Sequence, residues 1–217
     1  MQQSHREVVI LKPTSVFLSF LAAQAPGAVM PSLEILQTDM TAYTILRQDG
    51  DEETLDEIER HFPTMFRHEI SRWLGTKARN PIEGSFLDFL CCFKFEMHSQ
   101  IVLMEPSIEQ GRQLICIKPR SVLLKWIKSS SEGQENFCDV LERVTLTQLS
   151  ENATVVVKNF EKAVEIQSTI QNHYHPIFKA EMLRMCDKTE QWPDVDTYEE
   201  FNQYFAINIH SQLIHLF

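Results

Sequence analysis

Glycine is scarce, with six residues among 217, isolated at positions 27, 50, 75, 84, 111 and 133. A phosphate-cradling loop needs glycines close together so that backbone N–H groups can close on the anion, so neither a P-loop nor a dinucleotide fingerprint can form. Proline adds only nine residues, and 43% of the chain is apolar. Collagen-like, linker and disordered classes are thereby excluded. Basic residues are also short, 20 Lys and Arg against 30 Asp and Glu, for a net charge of -10. That balance repels phosphate backbones and anionic lipid headgroups, so nucleic acid is not an expected partner.

No uninterrupted hydrophobic run is long enough to span a bilayer. The most apolar stretch, 86–104, contains Asp88, Lys94, Glu96 and His98, charges that are costly in a membrane interior, so direct insertion is not expected. The first thirteen residues carry only four consecutive apolar side chains, which is not an export-signal pattern. The five cysteines, Cys91, Cys92, Cys116, Cys138 and Cys186, are odd in number and lack CxxC spacing. They read as free thiols in a reducing compartment, which points to the cytoplasm.

The spacing predicts an α+β fold, mostly helical, as a single globular domain over 1–217 with a small sheet and no internal repeat. Strands are expected near 8, 34, 44, 115 and 155, the last because three consecutive valines suit the pleated backbone. Val16, Phe17, Phe20 and Leu21 recur at helical spacing after Thr14. Seven acids crowd 49–59 and suit a helix N-terminus, with Leu55, Ile58 and Phe62 inward. Pro63 is expected to break that helix and begin another ending at Gly75. Phe86, Leu90, Phe93, Met97, Ile101 and Met104 predict a central helix over 85–104. Further helices are expected over 135–149 and 160–185, the latter broken near Pro176. Tyr198 to Phe217 also follows a helical pattern.

Catalytic constellations are thin. HEISR, at 68–72, shares two letters with the HExxH zinc motif, but Arg72 stands where the second imidazole belongs and a guanidinium does not ligate a cation. His173 and His175 would diverge on a helix, but on an extended segment before Pro176 they would share a face and could chelate a metal. Cys91, Cys92 or Cys138 paired with a histidine is the remaining enzymatic option, a thiol-dependent hydrolase. Phe89, Leu90 and Phe93 around the first two argue for packing instead. No metal or other cofactor is called for. The aromatics Trp192, Tyr198, Phe201, Tyr204, Phe205 and Phe217 either complete the core or form a docking face.

The size, acidity and texture of DEIERHFPTMFRHEISRWLG followed by FLDFLCCFKFEMHSQIVLMEP resemble the adaptor subunits of the Dot/Icm type IVB secretion system. The resemblance implies a cytoplasmic protein that docks with an acidic chaperone pair on the tail of a coupling ATPase and helps to select effectors. The expected function is therefore a non-enzymatic adaptor or chaperone subunit, with a structural assembly subunit and a thiol- or metal-dependent hydrolase as the other readings. Asp51, Glu52, Asp56 and Glu59 are expected to be exposed and to steer a basic partner. Tyr198, Tyr204 and Phe217 are the candidate anchors.

Overall fold

The computed structural model describes residues 6–75, 84–103, 113–131, 144–158, 160, 162–186 and 188–216. The fold is α+β, with eight α-helices among the described residues and two small four-stranded sheets. Residues 1–217, read from the sequence as one domain, fall into two compact units. The first comprises Met1–Met97 with His210–Phe217, and the second His98–Ile209.

In the first unit β1 (Arg6–Pro13) leads through the Thr14 cap into α1 (Ser15–Gln24). Next come α2 (Leu33–Thr38), β2 (Ala42–Leu46), α3 (Asp51–Leu74), α4 (Phe86–Cys92) and β3 (Phe93–His98). The run 33–36, expected as strand, is helical because Ser32 caps it by accepting the Ile35 N–H. Helix α3 passes through Pro63 without ending, and it stops at Gly75, whose φ of 52° favours glycine. A proline inside a helix costs about 3 kcal/mol. Burial of Ile58, Met65, Phe66, Ile70 and Leu74 along the same helix offsets that cost.

The expected central helix over 85–104 does not exist. Ser85 and Asp88 form a capping box that starts α4, but the helix yields to β3 after Cys92, and β4 (Ile101–Leu103) comes next. The segment FKFEMH alternates apolar and polar residues, the strand period. The apolar steps 93, 97 and 101 satisfy both periods, since four is also twice two.

The second unit repeats this order. It contains β5 (Gln113–Pro119), α5 (Ser121–Ser131), α6 (Leu146–Glu151), β6 (Val155–Lys158) and α7 (Ala163–Met185). After a 3₁₀ turn at Thr189–Gln191 come α8 (Tyr198–Tyr204) and β7 (Phe205–His210), and the last strand, β8 (Leu213–His215), belongs to the first unit. The helix expected over 198–217 is thus a short helix and two strands, corrected for the reason that applies at 85–104. The break expected near Pro176 is present as non-helical dihedrals at His173 inside α7. The helix expected over 135–149 lies largely outside the described residues.

The chain is a tandem duplication, contrary to the reading of no repeat. Lys12-Pro13-Thr14-Ser15-Val16 corresponds to Lys118-Pro119-Arg120-Ser121-Val122, and Ser85 to Gln100 aligns without gaps on Thr197 to Gln212, ending in His-Ser-Gln both times. Matching contacts confirm it. The Thr14 N–H donates to the Cys92 carbonyl at 2.9 Å, and the Arg120 N–H to the Tyr204 carbonyl at 2.7 Å.

The sheets have orders β3-β1-β2-β8 and β4-β6-β5-β7. In the first, β1 runs antiparallel to β2 with Ile10 opposite Ala42, and β8 adds in parallel with Leu213 opposite Ala42. In the second, β5 runs antiparallel to β6, and β4 adds in parallel with Ile101 opposite Val155. Each half of the sequence therefore places its last strand in the sheet built mainly by the other half. Equivalent phenylalanines occupy the two cores. Phe89 and Phe93 lie 5.1 Å apart in the first, as do Phe201 and Phe205 in the second.

Candidate functional site

Helix α3 begins at an extended Gly50, and Asp51, Glu52 and Glu53 fill its first turn, where the macrodipole favours negative charge. Asp51, Glu52, Asp56 and Glu59 are all exposed. Glu57 is the exception among its neighbours, buried and paired with Arg60 and His61. Leu55, expected on the inner face, is 41% exposed. The inner face runs through Ile58, with Phe62 half-buried. The first two turns thus present carboxylates to water over most of their circumference.

The C-terminal aromatics mainly complete a core. Phe201 and Phe205 are fully buried in the second unit, while Tyr198 and Tyr204 are half-buried against the same cluster. Tyr198 stacks on Phe201 at 6.1 Å. Phe217 lies outside the described residues. The acidic residues belong to the first unit and the two tyrosines to the second.

Among the described residues, neither Cys91 nor Cys92 is brought beside a histidine. Cys92 is buried, and that burial, with Cys91 and Asp88 nearby, pushes its thiol up to about 11. Cys91 is exposed, and Cys138 lies outside the described residues. The structure instead brings together a pair the sequence reading missed, Cys116 Sγ and His98 Nε2, 3.8 Å apart. His98 Nδ1 faces the Ala153 carbonyl at 2.8 Å, which can only accept, so the proton sits on Nδ1. Burial drives the imidazole down to about 4 and the thiol upward. The pair is therefore a neutral thiol beside a neutral imidazole, without the thiolate that nucleophilic attack needs.

His173 and His175 do not form the extended chelating pair. Both lie within α7 and are exposed, His173 Nδ1 bonded to the Thr169 carbonyl at 2.9 Å and His175 stacked on Tyr174 at 4.1 Å. HEISR likewise serves structure. The Tyr43 hydroxyl donates to Glu69 at 2.7 Å and lies 3.0 Å from His68 Nδ1, and Arg72 pairs with Asp39 at 2.9 Å. Burial first, and then the Glu69 charge, raise the Tyr43 phenol well above its ordinary value. In the second unit Glu181 and Arg184 repeat this Glu and Arg spacing, and Glu181 accepts the Thr154 N–H at 2.7 Å.

No family model, no curated protein and no solved structure matches this chain. The function must be argued from the groups themselves, and the exposed carboxylates at the start of α3 are the site residues whose expected exposure the structure reproduces. Among the described residues no helix is long and apolar enough to cross a membrane.

Proposed function

We propose that this chain is a non-catalytic, cytoplasmic adaptor that binds other proteins, and that recruitment of effectors to a type IV secretion coupling complex is its specific form. The observation that carries the reading is the set of exposed carboxylates Asp51, Glu52, Asp56 and Glu59 on the first turns of one helix. Clustered like charge on a fixed element raises the encounter rate with a basic partner. The neutral, buried state of His98 and Cys116 favours the adaptor over a thiol hydrolase. Tyr198 and Tyr204 keep part of their rings exposed and are the anchors proposed for the second unit, since aromatic side chains commonly carry interface energy.

The specific form rests on the resemblance to the small acidic type IVB subunit LvgA, with an acidic chaperone pair and the tail of a coupling ATPase as the partners. Co-elution of the purified chain with that tail and the chaperone pair on size exclusion tests it. A stable complex that disappears when Tyr198 and Tyr204 are replaced by Ala, while the variant still melts cooperatively, supports the proposal. Separate elution of well-folded components rejects the secretion form.

A further inference from the structure

Two segments of this chain dock in the same way at two places. In the first unit His210 Nδ1 donates to the Met40 carbonyl at 2.9 Å. The Ser211 N–H donates to Asp39 Oδ1 at 2.8 Å, and its hydroxyl donates to Asp39 Oδ2. The Gln212 carbonyl accepts the Ala42 N–H at 3.0 Å. Leu213, 1% exposed, then pairs with Ala42, and Ile214 with Tyr43.

In the second unit His98 Nδ1 donates to the Ala153 carbonyl at 2.8 Å. The Ser99 N–H and hydroxyl donate to Asn152 Oδ1 at 2.9 and 2.8 Å. The Gln100 carbonyl accepts the Val155 N–H at 2.9 Å, and Ile101 and Val102 pair with Val155 and Val156. Asp39 and Asn152 occupy the same place, the residue that closes α2 or α6 before the receiving strand.

Both receptors thus offer one carbonyl to an imidazole N–H, one Asx side chain to a serine, and a strand edge to the aliphatic residues beyond the glutamine. In each, donor and receptor come from different halves of the duplication, so the interaction is already one between two copies of a half. We propose that the β2 edge with Asp39 and the β6 edge with Asn152 are receptors for one class of extended peptide, His-Ser-Gln followed by two aliphatic residues. The ligand supplied in trans is segment 210–214 of a second copy of this chain. Strand addition of this kind takes affinity from main-chain hydrogen bonds and specificity from the side chains at fixed register. The resident strand competes at the high effective concentration of a tethered ligand, so the receptor becomes accessible when the resident donor is weakened.

The test uses the full chain carrying Ser211→Pro, which removes the N–H and the hydroxyl that bind Asp39. Fluorescein-labelled peptides of segments 210–215 and 98–103 serve as probes in fluorescence anisotropy. Both are expected to bind with affinities within about threefold of each other, because their hydrogen-bonding groups match. Adding Asp39→Ala is expected to weaken binding by about tenfold or more, whereas Asp39→Asn, which copies the other receptor, is expected to stay within about threefold. A control peptide with proline in place of serine is expected not to bind. The proposal is overturned if the folded variant binds neither peptide, if it binds only one, or if the proline control binds equally well. Should Ser211→Pro lose its cooperative melt, Ser211→Gly keeps the backbone N–H, loses only the hydroxyl, and is judged by the same outcomes.

Discussion

Replacing Glu181 by Ala should destabilise the protein severely. The Glu181 side chain is fully buried. It accepts the Thr154 N–H at 2.7 Å and two N–H groups of Arg184, at 2.5 Å from Nη2 and 3.3 Å from Nε. The Arg184 side chain is only 14% exposed and also donates to the Leu149 carbonyl at 3.0 Å. Removing the carboxylate leaves a mostly buried cation and a buried backbone N–H without their acceptor, a loss of about 3–5 kcal/mol. For a chain of this length each kcal/mol moves the midpoint by about 2–4 °C, so Glu181→Ala should melt about 6–20 °C below wild type. Glu181→Gln retains an acceptor for Thr154 and should lose about half as much. Replacing Glu181 and Arg184 together by Met should recover part of the Ala loss, because no buried cation is then left unpaired. Calorimetry of the three variants is the assay. A Glu181→Ala melt within about 2 °C of wild type would refute the assignment of this pair as a structural anchor.

Three further outcomes are expected from the buried groups. The His98 imidazole is depressed from 6.5 to about 4, so the unfolded chain binds the extra proton between those values; His98 stability is complete above about 6.5 and falls by about 3 kcal/mol as pH drops to about 4. Urea titrations of wild type and His98→Gln at pH 7 and pH 4 should show that excess loss in wild type only, and equal losses would contradict it. Tyr43→Phe deletes the hydroxyl bonded to Glu69 at 2.7 Å and should cost about 1–3 kcal/mol in chemical denaturation, because a buried carboxylate loses a donor. Among the described cysteines, exposed Cys91 should react with a thiol reagent in the native protein while buried Cys92 and Cys116 react only on unfolding. Rapid native labelling of Cys116 would contradict its elevated thiol and reopen the hydrolase reading.

The strands whose neighbours are regular were readable from the sequence. Pro13 and Pro119 stop β1 and β5, and Val155 to Val157 mark β6. Besides the helix at 33–38 and the unbroken helix through Pro63, two errors fell at equivalent places, 85–104 and 198–217, where apolar residues four apart fit a helix and a strand alike. Local capping started each helix, and pairing with a strand distant in sequence ended it, which no local period reports. The duplication stayed hidden because the identities that carry it are short, Lys-Pro-x-Ser-Val and His-Ser-Gln. The acidic residues were legible because helix N-terminal charge is a local property. His98 and Cys116 were not, since a short contact between them depends on the pairing that places β5 and the end of β3.

Association kinetics across ionic strength test the adaptor reading most directly, with Asp51, Glu52 and Asp56 all changed to Lys in the full chain. The variant should remain folded with a modestly lower melt, because Asp51 and Glu52 favour the α3 dipole by about 0.3–1 kcal/mol each. At low salt it should associate with a basic partner segment about tenfold more slowly than wild type. The difference should shrink toward 1 M salt, where the Debye length falls to about 3 Å. Equal association rates at low salt would contradict the account and leave the acidic turns of α3 as a solvated face.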